Sequence, residues 1–169
     1  MYQIVPSTNI RGSDRQTRHL YVPSEPAIAE FEKNTEIGWL YAVWAGQRVH
    51  LGELPTSATL SDEICSNREL PYLCIAQNVL GKITHRQFSN GRWENVSQVH
   101  FATDCLEQEI RRCAREADAR YYHVTEIIAG VHRRYTRLLL PRAALKGGVE
   151  DVIVTERDSI QIPVPANIG

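Results

Sequence analysis

The chain has 169 residues, of which 43% are hydrophobic and 23% charged, and its 19 Lys and Arg nearly balance its 20 Asp and Glu. A chain of this length forms one domain and buries enough apolar surface to fold without a metal or disulfides. The net charge of −1 argues against a nucleic-acid or anionic-membrane partner, and no apolar run approaches the roughly 20 residues of a membrane span.

The first 22 residues are polar, carry three arginines against one aspartate, and have neither helical nor strand periodicity. We expect an N-terminal arm over 1–22 that is mobile or wraps irregularly. Its start lacks the charged and then apolar order of a secretion signal, so a reducing, cytoplasmic location is expected. Without a C-x-x-C pair, the four cysteines are then predicted to be buried, unpaired thiols: Cys65, Cys74, Cys105 and Cys113.

An N-terminal helical extension is predicted over 23–69. Three residues are suited to cap helix starts, because their side-chain oxygens accept from unpaired backbone amides: Ser24, Thr35 and Ser61. The second of these helices has a mostly apolar stripe formed by Leu40, Val43 and Trp44. Gly52 is a suitable residue to end it.

A first β-hairpin is predicted from a short apolar run at 72–79 and a loosely alternating segment at 83–88. Asn90 and Gly91 tolerate positive φ and predict a turn after the second strand. Residues 92–103 are ambiguous, and their apolar spacing suits a short helix.

The clearest helix covers 104–117. Asp104 and Glu107 make an approximate capping box at its start. Its apolar face, predicted to pack on the sheet, includes Leu106, Ile110 and Cys113. The other face carries three arginines: Arg111, Arg112 and Arg115. The favoured interpretation is a solvated face compensated by Glu107, Glu109 and Glu116, and the alternative is a surface for an acidic partner.

Three strands follow, at 121–129, 133–140 and 149–155, with Pro141 ending the second of them. Because the links within each group of strands are short, neighbouring strands must be antiparallel. The predicted fold is α+β: a five-stranded antiparallel sheet with helices on one face, plus the N-terminal helices and the polar arm. The predicted boundaries are an arm at 1–22, a helical extension at 23–69, a core at 70–156 and a C-terminal tail at 157–169.

This order of two strands, a helical stretch and three strands resembles a PAS domain. The likeness is sharpest over the closing hairpin, where Tyr135-Thr136-Arg137-Leu138-Leu139-Leu140-Pro141 is followed by Gly147-Gly148-Val149 and by Asp151-Val152-Ile153-Val154. It is similar there to a bacterial subfamily of stand-alone, single-PAS proteins. Upstream agreement covers Trp44, Arg48, Gly52, Leu54-Pro55 and Leu70-Pro71-Tyr72-Leu73. Residues 142–145 depart from the subfamily, which usually has a serine- and aspartate-rich turn there.

The resemblance implies a non-enzymatic regulatory protein that contacts a signalling partner, such as a sensor kinase or another PAS domain, with or without a small ligand. It also implies a homodimer formed through helices that precede the core. The residues expected at that interface, or at a partner interface, are Trp39, Leu40, Tyr41, Val43 and Trp44. The alternative is that the arm at 1–22 folds back and covers these residues.

A PAS-like core would leave a pocket between the sheet and the middle helices. Its candidate ligand-contacting residues are Trp93, Ile110, Tyr122, His123, Arg134 and Leu139. The favoured interpretation is that the residues of this region simply fill the core, because apolar residues at these spacings need no ligand. One alternative function is a sensor of a small ligand or a haem-like cofactor, for which His100 and His123 are the candidate ligands. The other is an enzyme of unrecognised type that uses a cysteine and a histidine. Because no familiar catalytic or metal-binding motif is present, we expect no catalytic residues, no bound metal and no required cofactor.

Overall fold

The computed structural model describes residues 3–5, 15–22, 24–67, 70, 72–79, 81–96, 103–128 and 131–158. Those residues form an α+β fold whose elements are β1 (Gln3–Val5), β2 (Arg15–Val22), α1 (Ser24–Phe31), α2 (Glu36–Leu51), α3 (Asp62–Ser66), β3 (Tyr72–Val79), β4 (Lys82–Ser89), β5 (Arg92–Val96), α4 (Thr103–Glu116), β6 (Arg120–Ile128), β7 (Val131–Ala143) and β8 (Val149–Asp158). The strands form one antiparallel sheet in the order β1-β2-β6-β7-β8-β3-β4-β5.

Helix boundaries follow the predicted capping residues. The Thr35 side chain accepts a hydrogen bond from the Gly38 amide at the start of α2, and Gly52 ends the helix in the left-handed conformation with φ of 70°. Ser61 caps α3 in the same way, by accepting from the Ile64 amide. The three predicted helix starts are therefore confirmed, since α1 begins at Ser24.

The predicted turn after β4 is confirmed. Asn90 and Gly91 both have positive φ, 52° and 76°, and Ser89 pairs with Arg92 across the turn. Two residues with positive φ produce a backbone twist that matches two antiparallel strands. The turn therefore continues the sheet into β5, where the sequence suited a short helix.

Helices cover both faces of the sheet, whereas the sequence pattern predicted helices on one face. On one face, α1, α2 and α3 enclose what we call the α2-side core, which includes Trp44, Leu138, Leu140 and Ile153. On the other, α4 covers the α4-side core, which includes Ile110, Leu139, Val152 and Val154. The physical reason is that the central strands β7 and β8 are apolar at consecutive positions, so both of their faces need cover.

The sheet also has more strands than the five expected. Strand β5 replaces the ambiguous helix, and β1 and β2 lie within the segment expected to be an irregular arm. Strand β2 pairs along its length with β6, from Arg15↔Ile128 to Val22↔Tyr121. Strand β2 is stabilised by backbone hydrogen bonds to the edge of β6, and these bonds do not require an apolar periodicity. The side-chain pattern of β2 therefore did not indicate a strand.

Pro141 does not end β7, as expected, but lies inside it. Its partner on β8 is Val152, while β6 reaches only as far as the Arg120↔Leu139 pair. On the β6 side, β7 is therefore a local edge at Pro141, where the missing N–H costs no ladder hydrogen bond. The Pro141 carbonyl accepts a 2.9 Å hydrogen bond from Trp44 Nε1, which joins α2 to this edge.

The tail segment at 160–164 and the side chains of Asp104 and Cys105 lie outside the described residues. The other three cysteines are unpaired and buried, which confirms that part of the prediction: Cys65, Cys74 and Cys113. In the part of the chain that the structure describes, none of the helices is long and apolar enough to cross a membrane.

Candidate functional site

The site of interest lies between α4 and the sheet. Leu106, Ile110 and Cys113 of α4 are buried on the α4-side core, as their spacing predicted. Glu109 lies on the same inward side of the helix and is only 7% exposed. A buried carboxylate on an apolar helix face needs hydrogen-bond donors or a cation, since its desolvation is costly.

That cation is Arg137 of β7, which is 1% exposed. Its Nη1 donates to Glu109 Oε2 at 2.7 Å, and its Nε donates to Glu156 Oε1 on β8 at 2.8 Å. Its Nη2 donates to the Tyr135 hydroxyl at 3.0 Å. One guanidinium therefore joins α4 to the two central strands of the sheet.

Further polar groups surround this pair. The Tyr135 hydroxyl also interacts with Glu126 of β6, which is buried. The Arg133 guanidinium lies over the Tyr135 ring, 4.5 Å from its centroid, and its Nη2 is 4.0 Å from Glu156 Oε2. We call Glu109, Glu126, Tyr135, Arg137 and Glu156 the Arg137 cluster.

The Arg137 cluster buries three carboxylates against one guanidinium. Burial raises the pKa of Glu156, and Arg137 and Arg133 only partly oppose that shift. The pKa of Arg137 is raised well above its ordinary value, because the nearby Glu109, Tyr135 and Glu156 outweigh its burial. Arg137 therefore stays charged, and burial favours the protonated form of the Glu156 carboxyl.

The six predicted pocket residues do not come together. Ile110, Tyr122 and Leu139 are packed in the α4-side core. His123 faces the α2-side core, where its ring contacts the rings of Phe31 and Tyr121 at 5.0 and 5.4 Å between centroids.

The remaining two pocket candidates lie elsewhere again. Trp93, on strand β5, packs against the α2-side core, with its ring 5.4 Å from that of Phe88. Arg134 is exposed on β7. The predicted pocket residues therefore lie on both faces of the sheet, and they do not line one cavity.

Of the two histidines considered for a cofactor, His123 is separate from the Arg137 cluster. His123 is on the opposite face of the sheet, and burial lowers the pKa of its ring, with Glu32 and Glu30 opposing. His100 lies outside the described residues. In the described ranges, no three His, Cys, Asp or Glu side chains are grouped so as to hold a metal ion.

One cysteine–histidine pair does occur. Cys74 Sγ lies 3.6 Å from His85 Nδ1. Burial raises the pKa of the Cys74 thiol to about 12 and lowers the pKa of His85, so both groups are neutral near pH 7. A buried thiol is a poor nucleophile, because the thiolate is the reactive form. This pair therefore does not support the enzyme alternative.

No protein-family model, curated protein or solved structure matches the chain.

Another buried carboxylate, Glu32, lies after α1 on the α2-side core. It accepts hydrogen bonds from the Tyr121 hydroxyl at 2.8 Å, the Thr136 hydroxyl at 2.6 Å and Arg157 Nε at 3.0 Å. Each donor lies on a different strand, β6, β7 and β8. Glu32 therefore holds the end of α1 to three adjacent strands of the sheet.

Gly38 allows α2 to approach this point. A Cβ atom at Gly38 would lie 1.8 Å from the Glu32 carbonyl oxygen, which no side chain can tolerate. Position 38 must therefore be glycine, because the start of α2 packs directly against the backbone of Glu32.

The five predicted interface residues of α2 all pack against the α2-side core, to different degrees. Leu40 and Trp44 are buried against the sheet, and Trp39, Tyr41 and Val43 are half-buried against the same core. The sequence analysis missed a more exposed set on the opposite side of α2: Ala42, Gly46 and Val49. Their i, i+4, i+7 spacing could have identified it, and we call this set the outer stripe of α2.

The sequence analysis also missed the Arg137 cluster. It placed Glu109 with the outward acids of α4, although the residue falls between Leu106 and Ile110 on the apolar face. An acid within an apolar helical stripe is a signal that could have been used. The identity of its partner, 28 residues further along the chain, had no local signal.

Proposed function

We propose that the chain is a non-catalytic regulatory domain of PAS-like type that acts by contact with a signalling protein. The observation that carries this proposal is the position of Arg137, which joins Glu109 of α4 to Glu156 of β8. A surface helix held to the central strands by a buried ion pair moves with the sheet, because a packed core with a fixed hydrogen-bond set resists small displacements.

The chain order supports the PAS-like part of the proposal. Strands β3 and β4 precede α4, strands β6, β7 and β8 follow it, and the first and last of these five pair at the centre of the sheet. The additional strands extend the two sides of that arrangement. Fold alone does not establish function, so the signalling role depends on the partner experiment below.

Self-association through α2 belongs to the same proposal. Between Glu36 and Arg48 the helix has no charged residue, so it is apolar on all sides. One side packs on the sheet, and the outer stripe of α2 faces solvent, with Val49 84% exposed. A helix that is apolar all round is normally covered on all sides. In a two-fold dimer, the same surface of each subunit forms the interface, so the outer stripe of α2 can pack against the same stripe of a second copy.

The decisive experiment uses the full chain as bait and mass spectrometry to identify bound proteins. An unrelated domain of similar size and net charge is the control bait. We expect a signalling protein, such as a sensor kinase or another PAS domain, to be enriched and to bind the purified chain in calorimetry. If no signalling protein binds the purified chain, the proposal is wrong.

A second candidate function, sensing of a small ligand, is favoured by one observation. Glu156 Oε2 is buried and accepts no hydrogen bond from the described residues, with Arg133 Nη2 at 4.0 Å. A small cationic ligand, or a proton, would satisfy that oxygen. Native mass spectrometry of the purified chain tests this candidate: a bound small molecule supports it, and a mass equal to that of the chain alone contradicts it.

A further inference from the structure

The outer face of α4 has a charge that the sequence pattern misjudged. We define this face as Glu107, Gln108, Arg111, Arg112, Arg115 and Glu116. Gln108, Arg111 and Arg115 are exposed and lie on the side of the helix opposite Leu106, Ile110 and Cys113. The face is therefore open to solvent along about three helical turns.

Of the three acids expected to neutralise this face, one is turned away from it and another is shared with an arginine outside it. Glu109 is turned into the core and bound to Arg137. Glu116 is shared, because both Arg112 and Arg120 bind its carboxylate. Only Glu107 remains beside Arg111, at 4.0 Å and without a hydrogen bond in the described part of the chain. The sequence pattern predicted that the charges of this face compensate one another. In the structure, the outer face of α4 has an excess of positive charge.

A neighbouring turn adds to this charge. Arg111 Nη2 donates to the Gly81 carbonyl at 2.8 Å, which places the turn between β3 and β4 beside the helix. Lys82 follows Gly81 and is exposed. Arg115 forms no ion pair with the described residues, so its guanidinium is open to an external carboxylate.

We propose that the outer face of α4 binds an acidic segment of a partner protein; this rests on the proposed regulatory function and names the chemistry of its partner. Arg111 and Arg115 are one turn apart, about 6 Å along the axis. Two carboxylates at i and i+4 of a partner helix, or at i and i+2 of a strand, have a similar spacing. Each guanidinium offers a planar fork that fits a carboxylate.

The same observations favour an acidic protein over a nucleic acid. The net charge of the chain is −1, so its long-range field does not attract a polyanion. Single-stranded binding also uses aromatic side chains next to the basic groups. Among the described residues, the exposed large hydrophobic side chains are Val49, Leu51 and Leu145, none of which is aromatic or on α4.

The test compares two variants of the full chain. The double variant Arg111→Glu/Arg115→Glu reverses charge on the outer face of α4, and Arg92→Glu reverses an arginine that is 75% exposed on β5. The probes are the signalling protein captured with the wild-type chain and a labelled helical peptide with glutamates at i and i+4. We expect the double variant to weaken both affinities about tenfold or more, and Arg92→Glu to leave them unchanged. Raising the salt concentration should weaken wild-type binding through a slower association rate.

The outcomes separate this inference from the proposed function. If the captured protein binds the double variant as tightly as the wild type, the regulatory function stands and the inference about α4 is wrong. If the wild-type chain captures no signalling protein but binds the peptide in a way that needs Arg111 and Arg115, the inference stands and the proposed function is wrong. A labelled oligonucleotide that binds this face more tightly than the peptide overturns the acidic-protein assignment.

Discussion

Arg137 of β7 holds Glu109 of α4 inside the core, with 2.7 Å between Nη1 and Oε2. Both side chains lie between α4 and the sheet, and the same guanidinium also binds Glu156 of β8. A buried ion pair of this kind adds little net stability compared with apolar packing, but loss of one partner leaves the other charge without compensation. The pair therefore fixes where α4 lies on the sheet.

The variant Arg137→Met should be strongly destabilised. Methionine fills much of the arginine's volume but leaves Glu109 and Glu156 buried without their cation, which typically costs about 3–5 kcal/mol. Urea denaturation at neutral pH measures this free energy of unfolding. The control is Arg112→Met, which removes a half-exposed partner of Glu116 and should cost less than about 1 kcal/mol. Equal losses in the two variants would show that the Arg137 cluster is not desolvated.

The apolar packing of α4 has a separate test. Ile110 is 2% exposed in the α4-side core, so Ile110→Ala should lower the free energy of unfolding by about 2–5 kcal/mol through lost transfer energy and a residual cavity. Gln108→Ala, on the exposed side of the same helix, should change it by less than about 0.5 kcal/mol. Thermal and urea denaturation of both variants measure these changes in the free energy of unfolding. A loss below about 0.5 kcal/mol for Ile110→Ala would contradict the packing of this face on the sheet.

Local features of the fold were predictable because their causes lie within a few residues. A hydroxyl at Thr35 or Ser61 caps its own helix, and Asn90-Gly91 sets its own turn. Strand β2 was missed because its stability comes from pairing with β6, about a hundred residues away in the chain. Pro141 was wrongly predicted to end β7, because a strand can include proline where the neighbouring strand has already ended, and the sequence does not show where β6 ends.

The site was less predictable than the fold. The residues proposed for a pocket were chosen by type, and strand alternation puts His123 and Tyr122 on opposite faces of the sheet. A single position along β6 decides which core each side chain enters. The inward turn of Glu109 was readable from the apolar stripe, but its pairing with Arg137 depends on tertiary contacts.

Glu32 should make stability depend on acid pH. Its burial alone would raise its pKa, but hydrogen bonds from Thr136, Thr35, Arg157 and Tyr121 outweigh that and lower the pKa below its ordinary value of 4.5. A carboxyl whose pKa is lower in the folded state stabilises the fold above its unfolded pKa. That contribution is lost as the pH falls through the folded pKa.

We therefore expect the wild type to be more stable than Glu32→Gln at neutral pH, and this difference should narrow as the pH falls below about 4.5. Urea denaturation at a series of pH values measures it. Thr136→Val removes one donor to Glu32, so its folded pKa should rise and the neutral-pH stability should fall by about 1–3 kcal/mol. A difference between wild type and Glu32→Gln that is constant from neutral pH to pH 3 would contradict this account.

Self-association through α2 is the last prediction. The outer stripe of α2 is apolar and exposed on the face of the sheet opposite α4, so a dimer formed there leaves the outer face of α4 free. Sedimentation at micromolar concentration should give a dimer mass, and Val49→Glu should give a monomer, because it places a charge in the apolar contact. Trp39→Glu, at the half-buried margin of the same helix, should also weaken the dimer.

The matched control is Leu145→Glu, since Leu145 is 92% exposed in the β7–β8 turn and its replacement should leave the dimer intact. A wild-type chain that sediments as a monomer would exclude the dimer. A dimer that survives Val49→Glu but is lost in Leu145→Glu would move the interface from α2 to the hairpin turn.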